Sequence, residues 1–384
     1  MNPIRVAVLG STGSIGRQTM DVIRALPDRF KVIALAAGNN VTVLEEQARE
    51  FRPRMLYCGR EQEYIERRIR EASIPGRWAE MEEMASHPDV DVVVVATVGA
   101  AGLTSSLAAI RAGKAVALAN KEVLVMAGHI VTAEAKRYGA ELRPVDSEHS
   151  AIWQCLWGES PESVERLVIT ASGGALRDLS QEELERVTAE QALRHPNWQM
   201  GKKITVDSAT LLNKGLECIE ARWLFNVPLE RIEVLLHRES IVHSLVEFRD
   251  GSVKAQLGAP DMRLPIQCAL TYPERVPGAS VPRLDLKMIG TLNFGIPSTS
   301  RFPCLGLAIQ AGKQGGTAPA VLAAADEIAV EEFLGGYIRF TDIPRVIEDT
   351  LNAHNHAANP SIEQVLEADA WARSYAEGWV KAKA

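Results

Sequence analysis

At 384 residues the chain exceeds what one ordinary core accommodates, so two or three domains are expected. With 46% hydrophobic and 24% charged residues it has the composition of a globular protein, and its net charge of −7 argues against a general nucleic-acid binder, which carries a basic face. No apolar run reaches the ~20 residues that a membrane-spanning helix needs, so neither nucleic acid nor membrane is an expected partner.

In chain order, Ile4–Leu9 alternates too little for a half-exposed strand and reads as a buried parallel one. It runs into Gly10-Ser11-Thr12-Gly13-Ser14-Ile15-Gly16 and then a helix with apolar spacing through Met20, Ile23 and Leu26. Glycines here permit a tight turn and let a pyrophosphate reach backbone N–H groups at the helix start. A glycine-rich turn without a ligand would be spelled the same way. Strand-like runs at 32–36, 55–58, 90–96 and 115–118 alternate with helix patterns, one of which is expected to open on a capping box, Thr42 to Glu45. Such alternation predicts a doubly wound parallel sheet. After the second strand, Ala36-Ala37-Gly38-Asn39-Asn40 lacks the acid that holds the ribose 2′-hydroxyl in NAD enzymes, which favours NADP. No arginine stands in that loop either. Residues 95–99 and 119–122 end the fourth and fifth strands, which puts Lys121 and Glu122 at the ligand edge of the sheet; a solvated pair at a helix start is the plainer reading.

A further strand at 141–145 ends in Asp146-Ser147-Glu148-His149, ahead of a helix through Ile152, Cys155 and Leu156. Two acids so close together need a cation or proton, or else serve the helix dipole. Residues 167–171 read as a strand ending in Ser172-Gly173-Gly174, small enough for oxyanion contact. A short helix capped by Thr188 and Gln191 leads into His195-Pro196-Asn197-Trp198-Gln199-Met200-Gly201, a loop too apolar for a passive linker and suited to act as a lid or an interdomain plug. His195 is the histidine expected to act, whereas His149 and His243 read as structural. From Ser208 onward the spacing is helical, with Leu212, Leu216 and Ile219 on one side and Asn213, Lys214 and Glu217 sharing another face. Gly215 within that helix implies a close approach.

Strands at 233–236, 241–248 and 252–257, the last two joined by an Asp250-Gly251 turn, predict a mixed sheet with one covered face, whose free surface suits pairing into a homodimer. Residues 272–297 read as a linker. Helices at 304–313, 319–333, 341–355 and 361–381 predict a C-terminal bundle, with His354 and His356 at a frayed helix end. The resulting architecture is α/β. A Rossmann-like doubly wound N-terminal domain (1–149) precedes an α/β catalytic and dimerisation domain with a mixed sheet (150–271), the linker (272–297) and a C-terminal α-helical bundle (298–384). Cys58, Cys155, Cys218, Cys268 and Cys304 form no CxxC and no disulfide framework. With no signal pattern at the N-terminus, a cytoplasmic location is the expectation.

In their order and combination these segments closely resemble the 1-deoxy-D-xylulose 5-phosphate reductoisomerases. The matching runs are 10–16, 119–122, 144–149, 172–174, 195–201, 207–217, 256–263 and 338–343. The resemblance implies a homodimeric enzyme that rearranges a phosphorylated ketose and reduces it with NADPH to 2-C-methyl-D-erythritol 4-phosphate in isoprenoid precursor biosynthesis. It also implies a cofactor site of Thr12, Gly13, Ser14, Ile15, Gly38, Asn39, Asn40, Asn120, Glu122 and Gly201. Asp146, Glu148 and Glu217 would ligate Mg²⁺ or Mn²⁺, and Lys121, Ser147, Glu148, Ser172, His195, Ser208, Asn213, Lys214 and Glu217 would hold the substrate. Some members carry a basic residue where this chain has Asn39. Three carboxylates without a Cys/His cluster suit a hard cation. Glu148 would then handle the hydroxyl proton and Lys121 would steady the oxyanion, alongside His195. An aspartate-semialdehyde-type dehydrogenase would need a cysteine nucleophile, and no cysteine here has a histidine beside it in the sequence; an NADP-sensing regulator would have no use for the three acids.

Overall fold

The computed structural model describes residues 2–60, 62–71, 73–74, 76–277 and 281–383. The chain forms two compact units: residues 1–123, 129–150 and 261–282 make the first, and residues 124–128, 151–260 and 283–384 the second.

Among the described residues, the first unit holds seven strands: β1 (Ile4–Leu9), β2 (Phe30–Ala37), β3 (Met55–Cys58), β4 (Arg77–Trp78), β5 (Val92–Val95), β6 (Ala115–Leu118) and β7 (Leu142–Pro144). Their order is β4-β3-β2-β1-β5-β6-β7 and every pairing is parallel. The central strands are apolar on both faces because helices cover both. Val6, Val8, Leu35 and Val94 share a core with Met20 and Ile23 of the helix Ser14–Ala25 and with Leu44 and Ala48 of the helix Val41–Phe51. The later helix Arg263–Thr271 adds Ile266, Ala269 and Leu270 to the same core. The two-residue β4 was not anticipated, so the strands counted from sequence as fourth and fifth are β5 and β6. The expected Thr42–Glu45 capping box does not form either. Asn40 is the N-cap, accepting from the Val43 N–H at 3.2 Å, and Glu45 instead pairs with Arg49 and Arg68.

The second unit holds β8 (Val164–Ala171), β9 (Ile232–Leu236), β10 (Val242–Phe248) and β11 (Val253–Leu257) in the order β11-β10-β8-β9. β8 runs parallel to β9 and antiparallel to β10, which makes the sheet mixed as expected. Asp250 and Gly251 (φ +85°) turn the β10–β11 hairpin, the Asp250 carboxylate accepting from the Ser252 N–H at 2.9 Å. The covered face expected for β11 is not found, since Val253, Lys254 and Ala255 are all exposed. Helices Pro303–Gln314, Ala318–Leu334, Ile343–Ala353 and Ile362–Lys383 follow at the expected places. Within the stretch read as a linker lie a short helix, Leu286–Ile289, and a bridge from Gly295 to Leu236 of β9; residues 278–280 lie outside the described residues. The single helix read from Ser208 onward is in fact two, Lys202–Thr210 and Leu212–Phe225, broken at Leu211, whose φ is +62°. All five cysteines are buried and free, and among the described residues no helix is long and apolar enough to cross a membrane.

Candidate active site

In the first unit, strand order reverses at β1, which has β2 on one side and β5 on the other. Ligands of such sheets bind at the carboxyl end of this switch point, and the glycine loop stands there. Gly10 has φ +91°, and a Cβ on it would lie 2.3 Å from the Ala96 carbonyl oxygen; one on Gly16 would lie 2.2 Å from the Gly10 oxygen. Only glycine permits these approaches. The Gly10 and Ser11 N–H groups donate to the Ala36 oxygen at 2.9 and 2.8 Å, and the buried Gln47 amide donates to the Ser11 oxygen at 2.9 Å. So fixed, the loop feeds the helix Ser14–Ala25, which has no side-chain cap at Gly13 and no acid in its first turn. Its positive end, flanked by Thr12, Gly13, Ser14 and Ile15, is therefore available to an anion.

Gly38, Asn39 and Asn40 form the exposed loop after β2. Asn39 and Asn40 border a cavity of about 710 Å³ shared with Val41, Thr42, Arg60 and Tyr64. Sequence reading missed Arg60 and Tyr64, because it sought a basic residue only within the loop of the second strand.

Asn120 is buried and acts locally. Its amide donates to the Thr97 and Gly99 oxygens at 2.9 and 3.0 Å, and its oxygen accepts from the Val123 N–H at 3.1 Å. This bracing holds the start of the helix Glu122–Tyr138, of which Glu122 is the first residue. Next to it, the buried Lys121 ammonium sits 2.6 Å from an Asp146 carboxylate oxygen, and the Ser147 hydroxyl donates to Glu148 at 2.6 Å. His149, expected to be structural, is wholly buried.

In the second unit, β8 delivers Ser172, whose hydroxyl lies 2.9 Å from His195 Nε2. Nδ1 of that ring accepts from the Asn197 and Trp198 N–H groups at 3.2 and 3.0 Å, which makes Nε2 the protonated nitrogen and the donor to Ser172. Burial, and then the charge of Arg177, push the His195 pKa down from 6.5 to about 4, so the ring is neutral near pH 7. Gly173 and Gly174 turn away from Ser172 with φ of +84° and +71°, and a Cβ on Gly174 would lie 2.5 Å from the Ser208 oxygen. Ser172, His195 and Ser208 are thus held close together. Gly201 is the exposed N-cap of the helix that carries Ser208. His243 is buried, with its ring 6.2 Å from that of Trp198.

One helix further on, Glu217 is 1% exposed. Asn213 donates to one of its oxygens and Lys214 Nζ to the other at 2.5 Å, so the three residues meet on one helix face as their spacing predicts. The opposite face packs through Leu212, Leu216 and Ile219, and a Cβ on Gly215 would lie 2.3 Å from the Ala308 Cβ. That is the close approach its glycine implied. His354 and His356 bond locally, to the Thr317 hydroxyl at 2.7 Å and the Gly315 oxygen at 3.2 Å.

A parallel doubly wound sheet with a glycine loop at its switch point defines a dinucleotide-binding α/β protein. Family models match residues 6–128 (1-deoxy-D-xylulose 5-phosphate reductoisomerase), 142–225 (the C-terminal domain of that enzyme) and 257–375 (DXP reductoisomerase C-terminal domain). The curated 1-deoxy-D-xylulose 5-phosphate reductoisomerase of Pelotomaculum thermopropionicum is 54% identical over 375 residues, 96% of each chain. That of a Geobacillus species is 54% identical over 373 residues, 96% of this chain and 98% of its own. Among solved structures, a DOX-P reductoisomerase in complex with NADPH, fosmidomycin and magnesium aligns with a TM-score of 0.94 at 40% identity over 98% of both chains. The Zymomonas mobilis enzyme in complex with NADPH aligns at 0.91 and 42% identity, over 98% of this chain and 99% of its own. The chain belongs to the 1-deoxy-D-xylulose 5-phosphate reductoisomerase family.

Proposed function

We propose that the protein converts 1-deoxy-D-xylulose 5-phosphate into 2-C-methyl-D-erythritol 4-phosphate with NADPH and Mg²⁺ or Mn²⁺, as a cytoplasmic homodimer. One observation carries this reading: 98% of the chain aligns, at a TM-score of 0.94, with a reductoisomerase bound to NADPH, fosmidomycin and magnesium. The domains expected from sequence (1–149, 150–271 and 298–384, with 272–297 as linker) are proposed as its cofactor, catalytic and C-terminal parts, except that the helix Arg263–Thr271 goes with the cofactor part, in whose core it packs.

The uncapped helix start beyond the glycine loop fits a pyrophosphate, and the loop at Gly38, Asn39 and Asn40 fits the adenosine ribose. Glu122 and Gly201 are proposed as further cofactor contacts, together with the backbone at Asn120. Asp146, Glu148 and Glu217 would hold the divalent ion. An all-oxygen donor set fits a hard cation, and Glu217 in particular is a buried acid whose charge demands a positive partner, here Lys214. When bound, the ion would supply Lewis-acid stabilisation of the negative charge that develops as the carbon–carbon bond shifts.

The chain's own groups divide the remaining work. Ser172, Ser208, Asn213 and Lys214 would grip the phosphate, remote from the reacting carbons, and so orient them. The neutral His195 would act through its Nε2–H, aiming the Ser172 hydroxyl or the ligand in its place. Lys121 would stand by the oxyanion, with Ser147 and Glu148 beside it, and Glu148 would carry the hydroxyl proton. The test is NADPH oxidation with 1-deoxy-D-xylulose 5-phosphate, with and without Mg²⁺ or Mn²⁺, with identification of the product. Absence of turnover with either metal refutes the reading.

A further inference from the structure

We infer that Arg60 sets the preference for NADPH over NADH by binding the 2′-phosphate of the adenosine ribose, an inference that rests on the reductoisomerase reading above. In a doubly wound sheet the pyrophosphate lies at the loop after β1 and the adenosine ribose at the end of β2. That end of β2 is electrically neutral here: Gly38, Asn39 and Asn40 supply neither an acid for a 2′-hydroxyl nor a cation for a 2′-phosphate. The cation comes from the neighbouring strand.

The backbone brings it there. Ala37 of β2 is in register with Cys58 of β3. The Gly59 N–H, just past β3, donates both to the Ala37 oxygen at 3.1 Å and to the Gly38 oxygen at 2.7 Å, and the Cys58 thiol donates to the same Gly38 oxygen at 3.0 Å. A Cβ on Gly59 would stand 3.0 Å from that oxygen, so a glycine at this point lets the two loops close on each other. Arg60 is the next residue, and with Asn39, Asn40, Thr42 and Tyr64 it lines the cavity of about 710 Å³. None of the described lining residues is an acid. Arg60 is exposed and makes no ion pair with any described residue, whereas Arg49 and Arg68 are both engaged by Glu45. A guanidinium that pairs with no described carboxylate, in a roomy cavity beside the ribose position, has the chemistry to take up a phosphate monoester through paired N–H donors.

The test measures dissociation constants of NADPH and NADH for the full-length protein, by nicotinamide fluorescence, in wild type, Arg60→Ala and Arg60→Lys. Competition by adenosine 2′,5′-bisphosphate and by 5′-AMP is measured alongside. Arg60→Ala should weaken NADPH and the bisphosphate by roughly 10- to 100-fold, the worth of a charged phosphate contact, and leave NADH and 5′-AMP within about twofold of wild type. Arg60→Lys should recover part of the loss, since it keeps the charge but not the paired geometry. An unchanged NADPH-to-NADH ratio in Arg60→Ala overturns the inference, whether both affinities fall, as for stacking on adenine, or neither does. A wild type that binds NADPH no better than NADH also overturns it. A wild type that binds neither dinucleotide overturns the reductoisomerase reading, and this inference with it.

Discussion

Lys203 Nζ lies 2.6 Å from a carboxylate oxygen of Asp326, a side chain wholly shielded from solvent, and 2.7 Å from Asp207. One ammonium therefore serves two buried acids. Replacing it by methionine leaves those acids facing each other without a cation, and removing one partner of a buried pair costs about 3–5 kcal/mol. Lys203→Met should lower the unfolding free energy by about 3 kcal/mol or more, measured by urea denaturation at pH 7. A loss below about 1 kcal/mol would mean that the cluster contributes no more than a surface pair.

The same cluster gives stability a pH dependence of known sign. Burial, followed by the charge of Asp207, raises the Asp326 pKa well above its ordinary 3.8. The folded state thus binds this proton more tightly than the unfolded chain does. Its contribution is complete below the unfolded value and is lost as pH rises through the folded one. Asp326→Asn removes that dependence, so its unfolding free energy should fall less steeply than that of wild type from pH 5 upward, in parallel denaturation series.

His195 has the opposite sign. Its pKa of about 4 lies below the ordinary 6.5, so its contribution is present above 6.5 and fades as pH falls toward 4. His195→Gln should show a shallower loss of stability between pH 6.5 and 4. Turnover in the wild type should carry no ionisation near 6.5 from this ring, and an imidazole NMR titration of His195 centred there would contradict the geometry.

Glu217→Gln keeps the hydrogen bond with Asn213 but removes the carboxylate charge that faces the buried Lys214 ammonium. Turnover should drop at least ~100-fold, as expected when an interaction made in the transition state is removed. Mn²⁺ affinity should fall as well, with the NADPH dissociation constant unchanged, because the glycine loop belongs to the other unit. Loss of cofactor binding would contradict that assignment.

Trp198→Ala should raise KM and lower turnover while shifting Tm only slightly. The loop is also held by Asn197, whose amide donates to the Arg238 carbonyl and the Ser240 hydroxyl at 2.7 Å each. A collapsed Tm would identify Trp198 as a structural plug.

Locally encoded features were the ones legible in the sequence. The strand Ile4–Leu9 with its glycine loop, the Thr188–Gln191 capping box and the Asn213–Lys214–Glu217 face all depend on residues a few positions apart, and all stand where their spacing puts them. Competition between near neighbours was harder to read. Thr42 and Asn40 both have side chains able to cap a helix, and Asn40 prevails. Leu211 adopts a left-handed conformation that its side chain disfavours, so nothing in its local pattern announced the helix break. Least legible were partnerships set by tertiary pairing. Lys203 finds Asp326 across 123 positions, and Arg60 reaches the Asn39 cavity only because β3 lies beside β2.

The five buried thiols have a practical consequence. Burial pushes Cys218 up to about 12 and Cys268 to about 11, and raises Cys304 and Cys58 as well. Since only the thiolate attacks electrophiles, a disulfide reagent at neutral pH meets an almost inert folded protein. Cys58 and Cys268 belong to the first unit, and Cys155, Cys218 and Cys304 to the second. The chain is thereby equipped with a built-in clock for its own opening: labelling rates at each cysteine, read by peptide mapping, time the excursions of each unit separately, with no dye or engineered probe.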